Sequence, residues 1–185
     1  MARTLLFDID GTLLNYDDNP KPRLLGGAFE KLLKEKGFDR LICVSGWCNP
    51  DPYALESKDQ EYILRYSKSR IWTLYRDLDG PCLRKFFTDH DWAQDILGIV
   101  LDTDRRAKYL DLNSDYLYID DWAHEFFLKE HSQEAYEEQT RLKKVLQVDP
   151  EDDGQQILDH LESLSDIKPE NKEQTKGADH GMYFL

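Results

Sequence analysis

The chain predicts an α/β protein built on a parallel sheet flanked by helices, and three features of the sequence lead there. Short apolar runs rich in β-branched residues alternate with segments of helical period along most of the 185 residues. The acidic motifs stand at the downstream ends of those runs, where open α/β sheets bind ligands. The length suits one domain, large enough to bury most of the surface its unfolded chain exposes.

The first strand is expected over Thr4 to Phe7. Leu25, Phe29, Leu32 and Leu33 then recur at i, i+4, i+7 and i+8, a helical stripe, and Gly37 follows as its C-cap. A second strand covers Leu41 to Val44, bounded by Ser45-Gly46. Between Gly46 and Asp95 the pattern gives helical readings near Asp59 to Tyr66 and Leu83 to Phe87, while Arg70 to Tyr75 reads as strand or helix. Ile99 to Leu101 and Tyr116 to Ile119 supply the third and fourth strands. Beyond them, Ile157, Leu158, Leu161 and Leu164 form an apolar stripe between Asp153 and Asp166, with Pro150 and Pro169 outside it, so a short amphipathic helix docks on the core. Lys168 to His180 is polar, and the closing Met182-Tyr183-Phe184-Leu185 is apolar. The expected organisation is a core over residues 1–150 with a small helical insertion at about 46–95, then a helix and polar tail over 151–185.

Leu5-Leu6-Phe7-Asp8-Ile9-Asp10-Gly11-Thr12 carries the most chemistry. On a strand, i and i+2 share a face, so Asp8 and Asp10 converge where the strand gives way to a Gly-led turn. Two like charges that close repel, and the pair needs a bound metal or a shared proton. The alternative is an Asp-Gly turn with solvated acids.

Asp8-Ile9-Asp10-Gly11-Thr12 after an N-terminal hydrophobic strand resembles the first motif of the haloacid dehalogenase (HAD) superfamily, most of whose members are magnesium-dependent phosphatases. That family has three further motifs in a set order. Ser45 at the end of Leu41-Ile42-Cys43-Val44 matches the second, a hydroxyl that hydrogen-bonds a phosphoryl oxygen beside the backbone amides of the Gly46 turn. The third is a cation, and Lys108 within Asp104-Arg105-Arg106-Ala107-Lys108-Tyr109-Leu110 is the first choice, with Arg105 and Arg106 competing for the role. The fourth is Tyr116-Leu117-Tyr118-Ile119-Asp120-Asp121, a strand ending in two acids, with Glu125 four residues after Asp121. If Trp122 opens a helix, Glu125 falls on the face of Asp121 one turn on. Asp120-Asp121 also reads as a charged N-cap pair. A receiver domain uses similar residues, but its acid pair comes early and its Lys last, the reverse of the order here.

The resemblance implies a three-layer Rossmannoid (HAD-like) core over roughly Arg3 to Phe127 and a phosphomonoester hydrolase acting through an aspartyl-phosphate. It makes Asp8 the nucleophile and Asp10 the general acid and base, while Ser45 and Lys108 stabilise the phosphoryl charge. It gives magnesium (Mg2+) to the Asp8 carboxylate, the Asp10 carbonyl and Asp121, with Asp120 or Glu125 direct or through water. Family members acting on small metabolites often carry a cap domain; the spacings here leave room for one extra helical hairpin, so a capless or minimally capped enzyme is expected. An open site fits a phosphoprotein, or a small phosphorylated molecule enclosed by a neighbouring subunit of a homo-oligomer. Trp47, Cys48, Asn49 and Trp122 then line the entrance or serve as ordinary loop packing. A catalytically silent HAD-fold binding module is the rival reading. The metal-independent dehalogenase branch fits poorly with an acid-rich fourth motif.

Composition narrows the partners. A formal net charge of −13 argues against nucleic acid, which needs a basic footprint. From Ala123 to Leu185 there are 15 acids against 7 bases, so most of the excess lies beyond the fourth motif. No run of eighteen apolar residues suggests a membrane span. Met1-Ala2-Arg3-Thr4 leads into a strand without a signal-peptide pattern, and three cysteines with no zinc-site spacing suggest reduced thiols, so a cytoplasmic protein is expected. His160 and His180 lack clustered partners and read as surface residues.

Overall fold

The structure, a computed structural model, describes residues 3–15, 26–45, 97–98 and 106–166. Among the described residues, five parallel strands form one sheet: β1 (Arg3–Phe7), β2 (Phe38–Cys43), β3 (Leu97–Gly98), β4 (Tyr116–Asp120) and β5 (Val145–Gln147). Their spatial order is β3-β2-β1-β4-β5. The chain builds outward from β1 to one side, then returns to place β4 on the other side. The reversal point between β1 and β4 is where Rossmann-like sheets open a crevice at the strand carboxyl ends.

Strand alternation divides the core into two layers. Leu5, Phe7, Leu41, Cys43, Leu117 and Ile119 face α1 (Gly26–Glu35) and, near the end of the described chain, the helix Gln155–Glu162. Leu6, Ile42, Val44, Tyr116, Tyr118 and Val145 face the opposite way. They pack on a 3-10 turn at Arg106–Tyr109, on α2 (Ala123–Leu128) and on α3 (Gln133–Arg141), which makes the Gln155–Glu162 helix α4. Central strands buried on both faces are what near-continuous apolar runs produce in parallel sheets.

The sequence places α1 correctly. Phe29 and Leu33 are fully buried, Leu32 is partly so, and Gly37 adopts φ 73°, a left-handed conformation that ends the helix. Its amide donates to the Lys34 carbonyl at 3.0 Å. For α4, Ile157 and Leu161 are buried, Leu158 and Leu164 partly buried, and the helix is shorter than the Asp153 to Asp166 stretch marked by its stripe.

Two elements lacked a sequence signal. The strand β5 is only three residues long, and α3 is mostly polar, held by the Ser132 hydroxyl accepting from the Ala135 amide at 3.2 Å. The readings over Asp59 to Tyr66, Arg70 to Tyr75, Leu83 to Phe87, Ile99 to Leu101 and Lys168 to His180 lie outside the described residues. No helix among the described residues is long and apolar enough to cross a membrane.

Because α4 packs on the core through its apolar stripe, with Leu161 fully buried, Leu161→Ala should destabilise the fold by about 2–4 kcal/mol in chemical denaturation. A loss under about 0.5 kcal/mol would show that α4 is not part of the core.

Candidate active site

Three neighbouring strands end in step. Phe7 is in register with Cys43 on one side and Ile119 on the other. The next amides continue the pairing: Asp8 N–H donates to the Ile119 carbonyl at 3.1 Å, and Val44 N–H donates to the Phe7 carbonyl at 2.8 Å. Asp8, Val44-Ser45 and Asp120-Asp121 are therefore set along one edge of the sheet. All four motif polar residues are buried, with Asp8 at 2%, Ser45 at 1%, Asp120 at 0% and Asp121 at 7% exposure.

After Asp8 the chain turns. The Ile9 carbonyl accepts the amides of Thr12, Leu13 and Leu14, and Gly11 takes φ 70°, which L side chains adopt at a cost. The strand stops at Phe7, so Asp8 and Asp10 are not two residues of one strand face as expected from their spacing; Asp10 is half-buried on the turn. Thr12 ties this turn to the fourth motif, its hydroxyl accepting the Asp121 amide at 3.1 Å.

One carboxylate oxygen each from Asp8, Asp120 and Asp121 lies within 4.8 Å of the others. Arg106 enters this group from the 3-10 turn. Its Nη1 is 2.6 Å from Asp8 Oδ2 and 2.8 Å from Asp120 Oδ2, and its guanidinium lies 4.3 Å over the Phe126 ring. Asp120 is bound on both oxygens: Oδ1 accepts the Trp122 amide at 2.8 Å, and Oδ2 also accepts the Tyr118 hydroxyl at 2.9 Å. Among the described residues, Asp8 Oδ1 is buried with no hydrogen-bond partner.

Burial raises the Asp8 carboxyl to about 6, the neighbouring Asp120 charge adds to the rise, and Arg106 opposes it. Burial likewise raises Asp120, against Arg106 and the hydrogen bonds it accepts. Arg106 stays protonated: its burial works against the charge, but Asp8 and then Asp120 outweigh it. Arg106 pairs with two of the three clustered carboxylates, Asp8 and Asp120, and an orphaned buried carboxylate oxygen is what a hard cation's oxygen ligand requires.

Of the residues singled out by sequence, Asp8, Asp120 and Asp121 are brought together. Lys108 is exposed, and the cation against the carboxylates is Arg106, one of its two competitors. A 3-10 turn has a three-residue period; Ala107 and Leu110 face the core, leaving Lys108 between them on the outside. Glu125 is also exposed and apart from the acidic group. Asp121 precedes the helix, and α2 buries Ala123, Phe126 and Phe127, which turns Glu125 outward. Gly46, Trp47 and Arg105 lie outside the described residues, as do Cys48 and Asn49. Trp122 is half exposed as the N-cap residue of α2. Sequence reasoning passed over Tyr118, although its place two residues before Asp120 on a strand put both on one face.

Comparison of the chain with models of known protein families, with curated proteins and with solved structures returned no match.

The Asp8 shift gives a pH dependence with a defined sign. A carboxyl near 4 when unfolded and about 6 when folded favours the native state in its protonated form. That stability is present below about pH 4 and is lost as pH rises through about 6. Thermal melts in chelator should therefore show the protein losing stability from pH 4 to 7, and Asp8→Asn should flatten the decline. A wild-type melting temperature that climbs over this range, or an Asn variant with the same slope, would contradict the assignment.

Proposed function

We propose that the protein is a magnesium-dependent phosphomonoester hydrolase of the haloacid dehalogenase type, acting through an aspartyl-phosphate on Asp8. The observation that carries the reading is the pairing of Asp8 with Arg106 on one oxygen while the other is buried without a hydrogen bond, in a carboxylate that clusters with Asp120 and Asp121. A nucleophilic carboxylate needs a cation beside it as a phosphoryl group approaches, and a metal needs an oxygen that nothing else uses. Asp8 offers one oxygen for each purpose.

The donor set suits magnesium, a hard cation that takes a few carboxylates and otherwise keeps water or phosphate oxygens. Asp8 and Asp121 would hold it, and Asp120, with both oxygens already bonded, would serve as the anchor of Arg106. When bound, the ion would neutralise charge on the transferring phosphoryl group.

An oxygen of Asp8 attacks phosphorus in line, the bond from phosphorus to the ester oxygen breaks, and Asp10 gives its proton to the departing oxygen. Asp10 then takes a proton from water, the water oxygen attacks phosphorus, and the bond to Asp8 breaks to release phosphate and restore the carboxylate. Arg106 offsets the charge on the equatorial oxygens, and the Ser45 hydroxyl donates to one of them. Arg106 opposes the upward shift that burial gives the Asp8 carboxyl and so favours its ionised, nucleophilic form. The substrate is a phosphorylated small molecule or a phosphoprotein.

Steady-state hydrolysis of an aryl phosphate tests the reading. Activity should require magnesium and vanish on chelation, and Arg106→Ala should lower kcat/KM by about a hundredfold or more. Lys108→Ala, exposed on the turn, should stay within about twofold. Activity indifferent to chelation, or dependent on Lys108 and not on Arg106, would refute the assignment. Magnesium binding without cleavage of any ester in a broad panel would favour the silent binding module.

A further inference from the structure

We infer that Tyr118 is a positioning residue for Arg106, acting through Asp120. Tyr118 is fully buried in the apolar layer that includes Leu6, Val44, Ala107 and Phe127. Packing alone favours phenylalanine there, since a buried hydroxyl must find a partner. The phenol donates at 2.9 Å to Asp120 Oδ2, the same oxygen that accepts Arg106 Nη1 at 2.8 Å. The other Asp120 oxygen accepts the Trp122 amide at 2.8 Å.

Three donors from three elements therefore fix one carboxylate: β4 itself, the 3-10 turn and the start of α2. A carboxylate held at both oxygens cannot rotate about its last bond without losing a charge-assisted hydrogen bond. Arg106 bridges Asp120 and Asp8 through a single nitrogen, at 2.8 and 2.6 Å, so its place on Asp8 follows the orientation of Asp120. Without the phenol, Oδ2 keeps one donor in a pocket that has gained space. The carboxylate then turns, and the guanidinium shifts on Asp8. Tyr118 touches neither substrate nor the reacting oxygen in this account; it sets the position of the cation that does. Its consequence for rate rests on the phosphoryl-transfer reading, whereas its consequence for Arg106 does not.

The test is Tyr118→Phe, which keeps the ring and removes one oxygen. Tyr116→Phe is the control: its hydroxyl is also buried on the same strand and donates to Gln139 Oε1 at 3.1 Å, away from Asp120. Side-chain nitrogen NMR of Arg106 should show separate, slowly exchanging guanidinium protons in the wild type and in Tyr116→Phe. They should merge in Tyr118→Phe. With an aryl phosphate, Tyr118→Phe should lose about tenfold in kcat, with KM and the half-saturating magnesium concentration within about twofold. A purely structural phenol would lower the melting temperature of both variants and leave the Arg106 spectrum and kcat alone; that result overturns the proposal. If the wild type cleaves no ester, the hydrolase reading fails, and the Arg106 spectrum still decides the role of Tyr118. Should Tyr118→Phe not fold, Asp120→Asn replaces it: merged Arg106 signals support the anchor, and persistent separate signals refute it.

Discussion

Asp8 and Asp120 face each other across the junction of β1 and β4, both out of water, and both bind the same nitrogen of Arg106. Each carboxylate alone would be driven to its neutral form by burial, and each makes the other worse. The guanidinium is what lets them share that space. Its position is set in turn by the Phe126 ring beneath it and by a 3-10 turn that enters the core through Ala107 and Leu110. Remove that cation and two buried charges of one sign are left together, a larger penalty than the loss of an exposed ion pair.

The sheet supplies the rest of the arrangement. Parallel strands in register deliver their next residues to the same end of the sheet, so Asp8 and Asp120 need no long loops to meet, and Ser45 follows the end of β2 at that same end. The reversal in strand order falls between β1 and β4, and the three carboxylates lie at the carboxyl ends of those strands. Both sheet faces are buried, by α1 and α4 on one side and by the 3-10 turn, α2 and α3 on the other. A site that handles a highly charged group benefits from dipoles and charges fixed before the substrate arrives.

Much of this was legible from residue pattern. Apolar runs ending in acids located β1 and β4, the run ending in Ser45-Gly46 located β2, and the stripes with Gly37 located α1 and α4, because burial on a fixed period leaves a direct trace in sequence. The cation was less legible. Arg105, Arg106 and Lys108 carry the same sign within four positions, and only the phase of the turn decides which one points inward; a 3-10 geometry puts Ala107 and Leu110 inside and Lys108 out. Glu125 points away for a related reason: an i to i+4 relation holds only when both residues are helical, and Asp121 precedes α2. Short β5 and polar α3 left no trace, because three residues define no period and a helix partly covered by its neighbours needs few apolar positions. Tyr118 reads as an ordinary aromatic strand residue until its hydroxyl is seen to end on Asp120.

The central claim is that the Asp8 carboxylate, oriented by Arg106, becomes covalently phosphorylated during turnover. Rapid acid quenching with an aryl phosphate and magnesium, followed by peptide mapping by mass spectrometry, measures this directly. The account predicts a phosphoryl group on Asp8, absent from Asp8→Asn and absent when magnesium is chelated. Turnover with no trapped adduct at any time, or an adduct on Asp10 or Asp121, would contradict it.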